Sequence, residues 1–214
     1  MTSNGNAAAW FVDRHRDGPV KDKPAFVETG ADGRTLSYGD LSAQSDLMAD
    51  LFERHDIRRE DRALMLVLDE IEWPVIFWGA LKAGVVPAPI NTLLATSVYD
   101  AILRDSRATA LFVSAPLLEV VRPLLAEAPY LKAVFVIGDE TAPGTLDFTK
   151  ELAASTPRPL VEASQDETAF WLYSSGSTGA PKGVRHVHGA LRATAETYGD
   201  KVWRVRPDDV IYSA

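Results

Sequence analysis

Residues 63–68, Ala-Leu-Met-Leu-Val-Leu, form an unbroken apolar run that offers water no polar face. A strand of that kind is stable only when covered on both sides, which marks a central strand of a parallel sheet. The flanking sequence agrees. Residues 71–83 are apolar nearly all round and predict a buried helix, with Pro74 in the first turn, where its missing N–H costs nothing, and Gly84 as the C-cap. Residues 85–90 predict a strand whose Pro87 and Pro89 place it at an edge or end it early. The alternation continues with a helix around 98–103, a strand at 110–113, a helix at 117–125 that Pro116 helps to start, and a strand at 134–137. Strands alternating with helices over this length predict an α/β fold, with parallel sheets flanked by helices.

Ahead of this core, residues 7–16 predict a short helix, and short strands at 25–27 and 35–37 flank Asp32-Gly33, a hairpin turn signal. Ser37 and Asp40 approximate a capping box for a helix with Leu41, Leu47, Met48, Leu51 and Phe52 on one face, ending at His55 and Asp56. Residues 1–9 are small and polar, with neither the charged start nor the apolar core of a signal peptide, so they predict a frayed, disordered start and no export. The longest apolar stretch, 73–80, is too short to cross a membrane. A net charge of −8 without any Lys/Arg cluster argues against nucleic-acid or anionic-membrane partners. Cysteine is absent, which excludes disulfides and thiolate chemistry and fits a cytoplasmic setting.

Residues 138–165 are rich in Pro, Thr, Ser and charge, with one short helix near 148–153, and give the best internal boundary. Beyond it lies Phe-Trp-Leu-Tyr at 170–173, a buried strand that breaks at once into Ser174, Ser175, Gly176, Ser177, Thr178 and Gly179. Hydroxyls donate, and glycines let backbone N–H groups approach a ligand closely. Pro181 stiffens the exit and Lys182 adds a positive charge, so the stretch suits a polyphosphate. It is not the ordinary P-loop, because Ala180 and Pro181 separate Gly179 from Lys182. His186 and His188 stand at alternate positions of the next predicted strand, where they would share a face, but no third metal ligand lies nearby and zinc sites need at least three; no metal site is assigned. A core position is expected for Trp171, and solvated positions for Asp166-Glu167 and Asp208-Asp209.

Residues 170–184 resemble at every position the signature of the adenylate-forming acyl-CoA synthetase superfamily, the AMP-binding enzymes. That signature is an aromatic residue, Ser/Thr-Ser-Gly-Ser/Thr-Thr-Gly, one free position and Pro-Lys-Gly. Flanking segments resemble the benzoate–CoA ligase branch: Asp69-Glu70, Glu72-Trp73-Pro74-Val75, Ala83-Gly84-Val85-Val86-Pro87, Asn91-Thr92-Leu93-Leu94, Asp105-Ser106-Arg107-Ala108 and His186-Val187-His188. The resemblance implies ATP with Mg2+ and coenzyme A as co-substrates, a small aromatic carboxylate as substrate, and a two-step reaction through an acyl-adenylate; the alternatives are a ligase for a fatty or cinnamate-like acid, or a non-catalytic fragment that keeps a phosphate-binding loop. It implies that Ser174, Ser175, Gly176, Ser177, Thr178, Gly179 and Lys182 hold the nucleotide phosphates, with Thr178 and Lys182 acting in catalysis. One imidazole of the histidine pair is expected near the active site.

The same resemblance leads one to expect the amino-terminal part of a large nucleotide-binding domain, with residues 10–165 as a first portion, 166–214 as the start of a second, and a C-terminal domain absent. The closing residues 210–213 read as a strand, and the 214 residues alone are expected to be inactive.

Overall fold

The computed structural model describes residues 4–30, 33–139, 141–175 and 181–212. The chain opens with helix α1 (Ala7–Phe11), followed by a short 3-10 turn and an antiparallel pair, β1 (Pro24–Val27) with β2 (Thr35–Ser37). Of the turn signal between them, Asp32 lies outside the described residues. Ser37 caps α2 (Tyr38–Arg54) as expected: its Oγ accepts from the Asp40 N–H and donates to the Asp40 carboxylate. Then come β3 (Arg62–Leu66), α3 (Glu72–Ala83), β4 (Val86–Pro89), α4 (Thr96–Ser106), β5 (Ala110–Ser114), α5 (Leu118–Leu125), β6 (Ala133–Ile137), β7 (Leu146–Asp147) and α6 (Phe148–Ala153).

β3 to β7 form one parallel sheet in the order β4-β3-β5-β6-β7. The two-residue β7, too short for any periodicity to announce, adds its far edge. Strand side chains alternate between faces, so each strand feeds two cores. Ala63, Met65, Ala110, Phe112, Ala133 and Phe135 meet α2, α3 and α6 on one side. Leu64, Leu66, Leu111, Val113, Val134 and Val136 meet α4 and α5 on the other. Phe112 and Phe135 stack at 4.8 Å, while Phe52 and Phe148 meet Phe112 edge-on at 6.0 and 5.7 Å.

β4 is an edge strand of this sheet, as its prolines suggest. The Val86 and Ile90 N–H groups donate inward, to Asp61 and Met65 carbonyls near β3. Pro87 and Pro89 therefore occupy the outward-facing positions, where an N–H would otherwise be offered to a further strand.

Two expectations are corrected. The start is not frayed over residues 4–9: Asn6 is buried, and its amide donates to the Leu81 and Val161 carbonyls while its Oδ1 caps α1 at Ala8. A small polar side chain reads as solvent-seeking, yet here it is buried and bonds carbonyls of two other segments. The strand expected at 210–213 is not formed over its described residues. Val210, Ile211 and Tyr212 have no ladder partner, and Val210 is 94% exposed. An apolar run is a strand only when another strand completes its hydrogen bonds.

A buried charge network ties the amino-terminal segment to α2 and α3. The Lys82 ammonium, 2% exposed, lies 2.7 Å from Asp46 and 2.5 Å from Asp13, and Arg16 meets Asp46 at 2.6 Å. Each buried charge thus has an opposite partner, the condition for tolerating it there. Among the described residues, no helix is long and apolar enough to cross a membrane.

α2 and α3 touch where Gly79 faces Met48: a Cβ there would stand 2.2 Å from Met48 Cγ and 3.0 Å from the Ser45 carbonyl oxygen. Gly79→Ala should therefore push the helices apart and destabilise the chain by about 1–3 kcal/mol, the usual cost of overpacking. Urea unfolding would check this, and an unchanged midpoint would contradict it.

Candidate functional site

The loop singled out in the sequence sits at the tip of a two-stranded antiparallel ribbon, β8 (Thr168–Ser175) and β9 (Pro181–Val187). Gly176, Ser177, Thr178 and Gly179 lie outside the described residues. The ladder pairs Ser174 with Lys182 and Ser175 with Pro181, so the two ends of the loop converge. Ser174 and Lys182 are exposed. The ribbon is antiparallel and makes its own sheet, apart from the parallel sheet of β3 to β7. A loop of only five residues, 176–180, cannot contain the crossover that parallel strands require.

β8 lies alongside β4 without joining its ladder. The outward Pro87 and Pro89 give the physical reason, since that edge lacks the donors a new strand would use. Side chains hold the ribbon instead. Ala169 and Phe170 enter the α2/α3 core, where Phe170 meets Phe77 edge-on at 5.5 Å. Trp171 and Tyr173 point the other way, against the α4/α5 core, so the expected core position of Trp171 is met in part. Its indole lies 5.8 Å from the Arg62 guanidinium carbon, and its buried Nε1 has no hydrogen-bond partner among the described residues. The Tyr173 hydroxyl donates to Asp105 Oδ2 at 2.7 Å, at the end of α4. Burial and the neighbouring carboxylate raise the pKa of that phenol, which keeps its proton in place.

The two histidines do not share a strand face. His186 lies on β9, its ring stacked on Phe170 at 4.6 Å. His188 is the first residue of helix α7 (His188–Thr194), after which the chain continues as a π-helical segment, Ala195–Trp203. The period changes between the two histidines, so the alternate-strand argument fails for His188. That side chain is buried, and its Nδ1 accepts from the Ala7 N–H at 3.1 Å. Among the described residues no group of three or more His, Asp or Glu is arranged to hold a metal. Glu167 is half-buried and ion-paired with Arg59, whereas Asp166, Asp208 and Asp209 are exposed, so the solvated expectation is met by these three and only in part by Glu167.

The profile of the AMP-binding enzymes matches residues 13–214. The chain belongs to the AMP-binding enzyme family. A 4-hydroxybenzoate–CoA/benzoate–CoA ligase of Rhodopseudomonas palustris is 38% identical over 210 residues, covering 98% of this chain and 38% of the ligase. A benzoate CoA ligase from Burkholderia xenovorans superposes with a TM-score of 0.82 at 31% identity, covering 95% of this chain and 39% of that one. The anthranilate CoA ligase AuaEII, solved with anthranoyl-AMP, superposes with a TM-score of 0.86 at 28% identity over 96% of this chain and 39% of that one. The chain thus spans a little under two-fifths of the length of these relatives.

Within this AMP-binding chain, sequence reasoning missed the tyrosine–aspartate contact beside the loop. Asp105 lies 68 positions before Tyr173, and no local spacing joins them. The role of His188 in the AMP-binding fold is testable by pH. Burial holds its pKa below the ordinary 6.5, so protons bind the unfolded chain first. Stability should be full above pH 6.5 and fall as the pH drops below it. His188→Gln should flatten part of that slope in urea titrations run between pH 7.5 and 5.5. An unaltered slope would show that this imidazole is not the titrating group.

Proposed function

We propose that this chain is the amino-terminal part of an ATP-dependent, AMP-forming ligase that joins benzoate or a related small aromatic carboxylate to coenzyme A. The observation that carries the reading is the Ser174–Lys182 pair at the mouth of a hydroxyl- and glycine-rich loop, in a chain most of whose length resembles aryl-CoA ligases. In the first half-reaction a carboxylate oxygen attacks the α-phosphorus of ATP, the bond to the bridging oxygen breaks, and pyrophosphate leaves. In the second, the coenzyme A thiolate attacks the acyl carbon and AMP departs with the electron pair.

Charge builds on the departing pyrophosphate, so the protein's task in the first step is mainly positioning and electrostatic stabilisation. Ser174, Ser175, Ser177 and Thr178 supply hydroxyl donors, and Gly176 and Gly179 leave room for backbone amides to approach phosphate oxygens. Lys182 supplies the counter-charge. Magnesium would neutralise the same oxygens when bound with ATP. The division into portions 10–165 and 166–214 belongs to the same proposal: the first builds the sheet, and the second begins with the ribbon that carries the loop.

A chimera in which this chain replaces the matching 38% of the Rhodopseudomonas ligase tests the reading. It should form CoA thioesters from benzoate in preference to octanoate, and a preference for octanoate would sink the substrate assignment. In that chimera Lys182→Ala or Thr178→Ala should slow adenylate formation, by at most the equivalent of about 3–4 kcal/mol, and spare thioester formation from preformed adenylate. Equal damage to both half-reactions would show that the residues support the fold and not the phosphates. The 214 residues by themselves should show no benzoate-dependent pyrophosphate exchange, because loop donors alone do not orient a carboxylate for in-line attack.

A further inference from the structure

We propose that Tyr173, Gly183 and Asp105 form a latch that positions the two ends of the loop, Ser174 and Lys182, against the end of α4. The proposal rests on the phosphate reading of the loop given above, but its geometry stands apart from it. Tyr173 immediately precedes Ser174, and Gly183 immediately follows Lys182; the two are direct partners across the ladder. A Cβ on residue 183 would stand 3.1 Å from Tyr173 Cζ and 3.3 Å from Trp171 Cε3. The φ of Gly183 is not in the left-handed region, so no backbone requirement explains a glycine here. What its missing side chain provides is space, which lets the Tyr173 ring lie across β9.

The ring is then tethered at its far end. The phenol donates to the Asp105 carboxylate at 2.7 Å, a charge-assisted bond and so stronger than a neutral one. Since the ribbon makes no ladder with the five-stranded sheet, side-chain contacts must set where its tip lies. Phe170 and Trp171 fix its base, and Leu172 on the opposite face is 42% exposed. Tyr173 is the last large side chain before the loop, and Asp105 gives it a directional contact. Tyr173 and Asp105 are positioning residues in this scheme: they act on phosphate only through Ser174 and Lys182.

Amide hydrogen exchange on the 214-residue chain, with and without magnesium pyrophosphate, tests the latch. Tyr173→Phe keeps the ring and removes only the hydroxyl, Asp105→Ala removes the acceptor, and Asp105→Asn retains an accepting oxygen. Amides of residues 182–185 should exchange about tenfold faster in Tyr173→Phe and Asp105→Ala, the effect of losing one such hydrogen bond. The double variant should be no faster than either single one, Asp105→Asn should fall between them and the wild type, and amides of β5 and β6 should be unaffected. Half-protection of residues 182–185 should need about tenfold more pyrophosphate in the two single variants, following the same loss. Unchanged exchange in both, or effects that multiply in the double variant, overturns the latch. Faster exchange with unaltered pyrophosphate protection overturns the positioning role. Should exchange at β5 and β6 also rise in Asp105→Ala, Tyr173→Phe and Asp105→Asn decide the matter. If pyrophosphate protects nothing in the wild type, the phosphate reading fails, while the latch is still decided by exchange without ligand.

Discussion

β3 and β5 have almost no surface that can meet water: apart from the half-buried Arg62, every residue from Arg62 to Leu66 and from Ala110 to Ser114 is buried. Neighbouring positions on each strand face opposite cores, so the chain has to lay helices on both sides of the sheet. The parallel crossovers, the burial of α3 nearly all round and the two separate cores follow from that demand. The close approach of α2 and α3 at Gly79 follows too, because the two lie side by side on the same face of the sheet.

The edge of that sheet then decides how the loop is carried. Pro87 and Pro89 leave β4 without outward N–H groups, and the ribbon that lies beside it pairs only with itself. Its attachment is by side chains, Phe170 into one core and Trp171 with Tyr173 into the other. A structure held this way is ordered at its base by burial, and at its tip by a few directional contacts. In the proposed latch, the placement of Ser174 and Lys182 therefore depends on Tyr173 and Asp105.

Distant parts of the chain close the arrangement. Asn6 bonds the carbonyls of Leu81 and Val161, and the next residue, Ala7, donates to His188 at the start of α7. The amino terminus thus clips together α3, the irregular segment before β8 and the helix after β9. Lys82, Asp46, Asp13 and Arg16 add a buried charge network on the same side. Placing these charges apart would leave at least one of them desolvated without a partner, so the network favours one arrangement of the amino-terminal segment over others.

By itself the sequence determined what depends on neighbours along the chain. The apolar run in β3, the capping of α2 by Ser37, the C-cap at Gly84, the edge prolines of β4 and the hydroxyl- and glycine-rich loop are local chemistry, and periodicity or spacing displays it. The family signature at 170–184 belongs with them, because its residues are contiguous. Only the tertiary structure decided the burial of Asn6, the placement of His188 on a helix, the antiparallel ribbon, and the reach of Tyr173 to Asp105. It also leaves Val210, Ile211 and Tyr212 outside any ladder among the described residues. The burial of Asn6, the Tyr173–Asp105 bond and the state of residues 210–212 rest on a hydrogen-bond partner supplied or withheld by a remote segment. A polar or apolar side chain carries the same letter whether or not that partner arrives.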